Sequence, residues 1–319
     1  MRPTTPTPAR PRRLVLRPGV HVLRRSAGEL QVGLDPRRAI VLPDSPGVRA
    51  TLELLASPAS PPQEYDADAL DLLADGDLVV DADLLLPLVP VGPTEDVPVR
   101  RADVAALASR DGDAAGEVLA RRARGLTEVR PSGAAGAAAL AVTVADLLLA
   151  AALPHLVAGQ EPRGVRGRAA RSAVPLVGLL VCVGEPPREE LDGWVREGVP
   201  HLVLRLTEGQ AVLGPFVVPG ETACLRCVDA HHTDADPAWP LLVAQYASAV
   251  TRPREDAVPE PVDPVLATLA AAWAAREVLS HAEGRAPATA SSTIRLDPGL
   301  TSLESHTWPR HPGCGCAWT

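Results

Sequence analysis

Two cysteine pairs are the residues in this chain whose type and spacing point most directly to chemistry. Cys224 and Cys227 flank two residues in the segment CLRC, and Cys314 and Cys316 flank a single glycine in CGC. A CxxC turn directs two sulfurs towards one point, and the glycine permits the tight backbone of the second pair. Four thiolates fill a tetrahedral zinc and leave no position for a catalytic water. The spacing therefore predicts a structural zinc site with four cysteine ligands, with unligated thiols or a redox pair as the alternatives.

Histidines and acids follow the first cysteine pair. His231 and His232 lie in the run DAHHTDADPAW, which also contains Asp229, Asp234 and Asp236. Because four sulfurs already suffice for zinc, we interpret this run as an acidic surface turn and not as a second metal or substrate site. The two histidines are expected on the helix or loop that leaves the cysteine pair, facing solvent or a neighbouring element.

The overall composition narrows the classes of function. The chain has 319 residues and a formal net charge of −8, and every basic residue is an arginine. Negative charge argues against a nucleic-acid or anionic-membrane partner, since both attract basic proteins. The absence of lysine from the sequence excludes a Schiff-base lysine and a phosphate-loop lysine. An odd total of five cysteines, four of them in close pairs, favours a metal over disulfides and a cytoplasmic location.

Three further segments bear on targeting and burial. The basic segment MRPTTPTPARPRR is followed by no apolar signal segment, so we expect no secretion. The apolar run at 136–157 contains Asp146, which is costly in lipid, and we interpret the run as a buried helix leading into a strand. Cys182, inside the apolar segment LLVCVG, is expected to be an inert buried thiol.

The first part of the chain predicts a small α+β module. Residues 1–13 are rich in proline and arginine and are expected to be disordered. Within 14–86, the segments HVLRR, ELQVGL and RAIVL predict antiparallel strands, and SPGVRATLELLA predicts a helix with Ser45 as N-cap and Pro46 at its first position. With the helical segment DADALDLLADG, these elements are typical of a winged-helix-like module. Residues 87–100 are predicted to be a linker.

From 101 to 319 the pattern becomes that of an α/β domain. A polar helix is predicted at about 102–124, and strands and helices then alternate, with PLVGLLVCVG as a fully buried strand of the parallel type. Such repeats predict a Rossmann-type parallel sheet with helices on both faces. The clearest helix follows the N-cap Asp263 and ends at Gly284.

A second candidate site is the segment SGAAG between a predicted strand and a long helix. Gly133 and Gly136 stand where a nucleotide-binding fold places its glycine-rich turn, at the N-terminus of a helix. The GxG core is absent, and Glu161 is the nearest acid after the next strand that could contact a ribose. We therefore prefer the interpretation of a tight strand–helix turn that has lost its ligand.

A family resemblance rests on two of these segments. The segment LGPFVVPGETACLRCVDAHHTDADPAWP, together with HPGCGC, resembles the ThiF-like cyclodehydratase or leader-peptide-binding proteins of actinobacterial thiazole/oxazole-modified bacteriocin pathways. The segment GELQVGLDPRRAIVL resembles the start of their small winged-helix peptide-binding module. The match covers most of the chain in layout, and its specific part is the pair of cysteine motifs.

The resemblance implies a ThiF/MoeB-like, ubiquitin-activating-enzyme-like fold with a zinc ion held by Cys224, Cys227, Cys314 and Cys316. It also implies binding of a precursor leader peptide, which is presented to a YcaO-type partner for ATP-dependent cyclisation, and it implies a homodimer. In the ancestral enzymes the strand that here reads LLVCVGEPP ends in a magnesium-binding aspartate, whereas this chain offers only Glu185. This difference, with the altered glycine loop, argues against adenylation.

Three functions remain open from the sequence. The first is a non-catalytic or partner-dependent leader-peptide-binding scaffold with structural zinc and a degenerate nucleotide site. The second is an active ATP-dependent adenylyltransferase, and the third is a housekeeping interaction protein outside any peptide-modification pathway. The strands ELQVGL and RAIVL are the candidate edge at which a leader would add as a further strand.

Overall fold

The computed structural model describes residues 13–57, 65–92, 96–158, 176–252, 256 and 258–316. The expected disordered tail at 1–13 and Glu161 therefore fall, apart from Arg13, outside the described residues. The chain divides into two compact units, Met1–Leu119 and Ala120–Thr319. The predicted division at 14–86, 87–100 and 101–319 stays a prediction.

The first unit combines short strands with helices. Two strands, β1 (Leu14–Leu16) and β5 (Val79–Asp81), form an antiparallel pair. A second sheet has the order β2-β3-β4 and contains β2 (Val22–Arg24), β3 (Glu29–Val32) and β4 (Ile40–Pro43). The helices of this part of the chain are α1 (Pro46–Ala56), α2 (Ala67–Asp75), α3 (Ala82–Leu85), α4 (Val97–Asp111) and α5 (Ala115–Arg124).

Local capping explains where helix α1 begins. The Ser45 hydroxyl accepts a hydrogen bond from the Val48 amide at 3.3 Å, and Pro46 occupies the first helical turn, as the sequence predicts. The helix buries Leu52 and Leu55 against the inner face of the β2-β3-β4 sheet, where Val32 is fully buried. The apolar residues that recur at helical spacing in α1 and α2 are thus the ones that enter this hydrophobic core.

The strand order corrects one prediction about the sheet edge. Strand β3, in the segment ELQVGL, is hydrogen-bonded on one side to β2 and on the other to β4. A central strand has no free edge, so ELQVGL cannot accept an added strand. The two edges of this sheet are β2 and β4, the latter in RAIVL. The winged-helix assignment itself stays a prediction.

The second unit is built around a seven-stranded sheet of order β12-β11-β10-β9-β8-β6-β7. Its strands are β6 (Thr127–Gly133), β7 (His155–Val157), β8 (Val177–Val183), β9 (His201–Thr207), β10 (Gln210–Val217), β11 (Ser292–Leu296) and β12 (Leu303–Thr307). Its helices are α6 (Ala137–Ala150), α7 (Asp192–Arg196), α8 (Leu225–Ala235), α9 (Trp239–Val250) and α10 (Pro264–Ala282).

The sheet is mixed, which corrects the prediction of a parallel sheet. The neighbours β7, β6, β8 and β9 pair in parallel, whereas β9, β10, β11 and β12 pair antiparallel. Five strands thus run in one direction, and β10 and β12 run in the other. The antiparallel half arises because a tight turn at Glu208 and Gly209, both with positive φ, joins β9 directly to β10 without a crossover helix.

Helices cover both faces of this sheet, as predicted. Helices α6 and α10 pack on one face, where Leu179, Val181 and Leu204 are fully buried. Trp194 of α7 and Leu225 of α8 pack on the other face, against the alternate strand residues. This alternation explains why β8 is apolar along its whole length, since both of its faces are covered.

Two helix predictions have different outcomes. Helix α10 begins where expected, because the Asp263 carboxylate accepts a hydrogen bond from the Leu266 amide at 2.8 Å. The single helix predicted at 102–124 is instead two helices, α4 and α5, which meet at Gly112 with a φ of 56°. Among the described residues, the helices are all too short or too polar to cross a membrane.

Candidate metal centre and the carboxyl ends of the strands

The four cysteines of the two pairs lie together. The Sγ of Cys224 is 3.7 Å from that of Cys227 and 3.5 Å from that of Cys314, and the Sγ atoms of Cys227 and Cys316 are 3.4 Å apart. Tetrahedral zinc with Zn–S bonds of about 2.3 Å has sulfurs separated by about 3.8 Å. All four sulfurs lie within 4.8 Å of one another, so this cluster could hold a metal ion.

Local backbone structure positions each pair. Cys224 is the N-cap of α8, and its carbonyl accepts hydrogen bonds from the amides of Cys227 and Val228, so the first turn of the helix presents both sulfurs on one side. In the second pair, Gly315 has a φ of 78°, which favours glycine. The pairs come from segments about ninety positions apart, and the cluster therefore ties the last described residues to α8.

The acid–base properties of the thiols also fit a cation. A hydrogen bond from Cys224 lowers the pKa of Cys227 to about 4, and the same hydrogen bond, together with burial, raises the pKa of Cys224. Burial raises the pKa of Cys314 to about 11. Without a cation, the thiols of Cys224 and Cys314 therefore keep their protons at neutral pH. A bound divalent ion would offset the repulsion between thiolates and favour their ionisation.

The histidines near this cluster fasten the C-terminal segment to α8. The His311 Nε2 lies 3.0 Å from an Asp234 carboxylate oxygen, and the His311 Nδ1 accepts a hydrogen bond from the Gly313 amide. His231 contacts the Pro309 carbonyl oxygen through Nε2 at 2.9 Å. Because the His311 Nδ1 lone pair is in use, its Nε2 carries the proton and donates to Asp234. His231, Asp234 and His311 have the spacing of a metal site. Their hydrogen bonds, however, indicate a structural role, which is to hold the C-terminal segment against α8.

The acidic run is not the surface turn that the sequence suggests. Residues 229–235 belong to α8, and the Asp229 carboxylate pairs with the Arg188 guanidinium through two hydrogen bonds of 2.7 and 2.9 Å. Burial opposes ionisation of Asp229, but Arg188 outweighs it and holds the pKa of that carboxyl below its ordinary value. The Trp239 indole N–H donates to the same carboxylate at 3.0 Å. Only Asp234 and Asp236 of this acidic group are exposed, as expected.

The glycine loop lies at the carboxyl end of β6, at the switch point between β6 and β8, where open α/β sheets bind ligands. Gly133 has a φ of 81° and packs against β8 so closely that a Cβ there would overlap the Val183 carbonyl oxygen. The same oxygen accepts a hydrogen bond from the Ala134 amide at 3.0 Å. Gly136 is the N-cap of α6, with a φ of 107° and open space around it.

Glu185, the acid that follows β8, is held by two arginines. Its carboxylate lies 2.9 and 3.2 Å from the Arg205 Nη1 and 3.0 Å from the Arg188 Nη1. The side chains of these three residues are all at least 87% buried. Two guanidinium groups neutralise Glu185, and a magnesium ion there would have to displace them.

Arg188 and Arg205 are functional candidates that the sequence reasoning did not single out. The signal for Arg205 was a lone charge in the otherwise apolar strand HLVLRLT, because a charge in such a strand needs a buried partner. Arg188 stands in GEPPREE, where nothing distinguished it from a solvent-exposed charge. Cys182 is a buried thiol as expected, and burial raises its pKa to about 12.

No protein-family model and no curated protein matches this chain. Solved structures do match. The heterocyclase TruD has a TM-score of 0.63 at 17% identity, covering 96% of this chain and 43% of that chain. A heterocyclase in complex with substrate and cofactor has a TM-score of 0.61 at 16% identity. The match covers 96% of this chain and 39% of that heterocyclase.

Escherichia coli MccB in complex with MccA has a TM-score of 0.59 at 13% identity, covering 96% of this chain and 99% of that chain. MccB has also been solved with ATP. This chain therefore spans less than half of the two heterocyclases and nearly the full length of MccB. At these identities the likeness establishes the fold, which agrees with the ThiF-like fold expected from the sequence.

Proposed function

We propose that this chain is a leader-peptide-binding scaffold of a ribosomal peptide modification pathway of the azole-forming, bacteriocin type. The observation that carries the proposal is the shared fold with the heterocyclase TruD and with MccB, which extends over 96% of this chain. The similar structures include a heterocyclase with its substrate and MccB with MccA, so the shared fold occurs in proteins that hold such molecules. A YcaO-type cyclodehydratase is the partner that we propose.

The proposal of a scaffold and not an enzyme rests on the residues at the glycine loop and at the end of β8, where related folds bind a nucleotide. The Ala134 amide donates to the Val183 carbonyl, which leaves this amide no free hydrogen for a phosphate, and the close approach of Gly133 to the same carbonyl leaves no room for a Cβ. Glu185 is already neutralised by Arg188 and Arg205. MccB, by contrast, has been solved with ATP. We therefore propose a degenerate nucleotide site at Gly133 and Gly136, so that the chain itself is not an adenylyltransferase.

The leader is proposed to add as a strand to β4. The Asp44 amide bonds back to Gly28, which places the backbone groups of Val41 on the outward edge of the strand. Ile40 packs against the C-terminal end of α2 at Gly76, so this edge has a helix beside it that can supply side-chain pockets. All three residues of β2, the other edge, are exposed. Main-chain hydrogen bonds between the leader and β4 would provide affinity, and the side-chain pockets beside β4 would provide specificity.

The metal proposed for the cysteine cluster is zinc in a structural role. Cys224, Cys227, Cys314 and Cys316 would supply all four ligands and leave no open position. The zinc would fix the C-terminal segment on α8 and would take no part in the chemistry of the pathway.

A titration of the full-length chain with precursor leader peptides encoded beside its gene tests the proposal. We expect low-micromolar binding, weakened about tenfold or more by Val41→Pro, because proline removes the outward N–H of β4. Val22→Pro is the matched control, since it removes the outward N–H of β2 and should leave affinity within about twofold. Absence of binding to any neighbouring peptide, with no YcaO-type gene nearby, would instead favour the housekeeping interaction protein.

A further inference from the structure

The four cysteines of the cluster differ in how easily a solute can reach them. Cys227 is fully buried and Cys224 is 6% exposed, whereas Cys314 is half-buried. Cys314 also lines two cavities, one of about 190 Å³ between α7, α8 and the C-terminal segment, and one of about 730 Å³ between α8 and α9. Cys224 and Cys316 line the smaller cavity as well. A small solute can therefore approach Cys314 from two sides.

The sulfur of Cys314 has a second sulfur within reach. Its Sγ lies 3.5 Å from that of Cys224, and an S–S bond of about 2.05 Å would require these atoms to approach by about 1.5 Å. A bound metal would hold both sulfurs as thiolates, the form of cysteine that acts as a nucleophile. Cysteines that respond to oxidants are accessible thiolates beside a second cysteine that completes a disulfide. Cys314 has the access, and Cys224 the position, for that chemistry.

We propose that Cys314 and Cys224 form an oxidation site for hydroperoxides, at which a disulfide replaces the bonds of these two sulfurs to zinc. With hydrogen peroxide, the Cys314 thiolate attacks one oxygen, so that an S–O bond forms, the O–O bond breaks and the departing hydroxide takes a proton from solvent. The Cys224 thiolate then attacks the Cys314 sulfur, the S–S bond forms, and the second hydroxide leaves and is protonated. Two thiolates are thereby oxidised to one disulfide, and the peroxide is reduced to two water molecules.

The disulfide changes the link between α8 and the C-terminal segment without breaking it. Cys227 and Cys316 alone cannot fill a tetrahedral site, so the metal is released. The new bond joins positions 224 and 314, which are ninety residues apart, and it ties the same two segments together as the metal would. A crosslink over so long a loop also restricts the unfolded chain. Oxidation therefore exchanges a metal link for a covalent one, and this inference does not depend on leader binding.

The competing product is a disulfide between Cys224 and Cys227, whose sulfurs are 3.7 Å apart. It would lie within the first turn of α8 and would leave the C-terminal segment unattached. The two products can be told apart because trypsin cuts after Arg226, which separates Cys224 from Cys227, and after Arg310, ahead of the second cysteine pair. The proposed product joins the peptide that ends at Arg226 to the peptide that begins after Arg310.

Treatment of the full-length, zinc-loaded chain with about one equivalent of hydrogen peroxide, beside a chromogenic zinc chelator, tests the proposal. Zinc should be released as two thiols are lost, and mass spectrometry of the tryptic peptides should find the disulfide between Cys224 and Cys314. Cys182→Ala, which removes the thiol outside the cluster, should release zinc within about twofold of the wild-type rate.

Two histidine variants isolate the role of Cys314, because three cysteines and one histidine also bind zinc. Cys314→His removes the attacking sulfur and should release zinc about tenfold more slowly than the wild type. Cys316→His has the same ligand types but keeps both Cys314 and Cys224, and should release zinc at least about fivefold faster than Cys314→His. Elemental analysis before treatment confirms that both variants contain zinc.

Three results would overturn the proposal. Zinc that stays bound to the wild-type chain in excess peroxide is the first, and a product that joins Cys224 to Cys227 is the second. Equal rates of zinc release from the two histidine variants would be the third, because the attacking sulfur would then not be that of Cys314. The disulfide between Cys224 and Cys314 in the wild-type chain supports the proposal even where a variant loses its metal.

Discussion

The carboxylate of Glu185 lies 2.9 Å from the guanidinium of Arg205, in a buried position at the carboxyl end of β8. Arg205 is on β9, the neighbouring strand, and the ion pair therefore bridges two strands at the end of the sheet where nucleotides bind in open α/β folds. Arg188 completes the neutralisation of Glu185. Glu185 stands where an acid could bind magnesium, but its carboxylate is taken up by these two ion pairs, which stabilise the fold.

We expect the chain to neither bind nor use ATP. Magnesium–ATP at about 1 mM should leave the melting temperature unchanged, because ligand binding would raise it by mass action. ATP–pyrophosphate exchange should stay at background with every candidate peptide, measured beside an active adenylyltransferase as the positive control. An ATP-dependent rise in melting temperature that requires magnesium would restore the adenylyltransferase alternative.

One zinc ion per chain is expected in the purified protein. Cys227→Ser should abolish stoichiometric zinc and lower the free energy of unfolding by about 3–5 kcal/mol, because the metal–thiolate bonds that tie the C-terminal segment to α8 are lost. Elemental analysis and chemical denaturation measure both effects. Cys182→Ala is the matched control, since this buried thiol lies outside the cluster and its loss should cost about 1 kcal/mol with zinc retained. Metal-free protein of wild-type stability would contradict the zinc assignment.

The two loop glycines should respond differently to alanine. Gly133→Ala combines a left-handed backbone with overlap of its Cβ on the Val183 carbonyl, and should destabilise the protein by about 3 kcal/mol or more. Gly136→Ala has the backbone strain but open space, and should cost about 1 kcal/mol. Urea denaturation of the two variants gives the comparison. Equal costs would show that the close approach between β6 and β8 is absent in solution.

His201 should make the fold sensitive to acid. Burial lowers its pKa from 6.5 to about 4, and its Nδ1 lies 2.9 Å from the Val199 carbonyl oxygen. Above pH 6.5 the ring is neutral in both the folded and the unfolded state and has no effect on the pH dependence. As pH falls from 6.5 to 4, only the unfolded chain takes up the proton, so stability falls by about 3 kcal/mol.

The variant His201→Asn isolates this contribution. Asparagine can keep a donor near Val199 but does not titrate, so its stability should fall less steeply between pH 6.5 and 4 than that of the wild type. Acid release of the metal affects both proteins alike and cancels in the difference between them. Parallel stability curves over this range would mean that His201 is not the buried neutral group described here.

Elements fixed by local signals were predictable, whereas long-range pairing was not. Ser45 and Asp263 cap their helices as predicted, because an N-cap needs only the residues of the first turn. The meeting of Cys224 and Cys314 was also predictable, since metal-ligand spacing carries information across the chain. The antiparallel half of the sheet was not, because β10 contains Gly214 and Pro215, residues that interrupt a strand pattern.

The buried ion pairs escaped prediction for a related reason. Arg188 and Asp229 are 41 positions apart, and neither differs in its local sequence from an ordinary surface charge. Only the folded arrangement of α8 over the loop after β8 shows that they form a buried pair. The central position of β3 was hidden in the same way, since three short alternating segments can be ordered in several ways within a sheet.

Helix α9 covers the carboxyl ends of β8 and β9, and apart from the Trp239 indole at its first residue, which donates to Asp229, it has few buried contacts. Only Ala247 and Val250 of its twelve residues are buried, with Val250 against Gly184, and a hydrogen bond of 3.2 Å joins Tyr246 to Thr207. Elements with so few buried contacts unfold locally at a small fraction of the global free energy. Amide hydrogens of α9 should thus exchange long before those of β8, and the strand ends beneath it should be intermittently open to solvent in a protein that is otherwise fully folded.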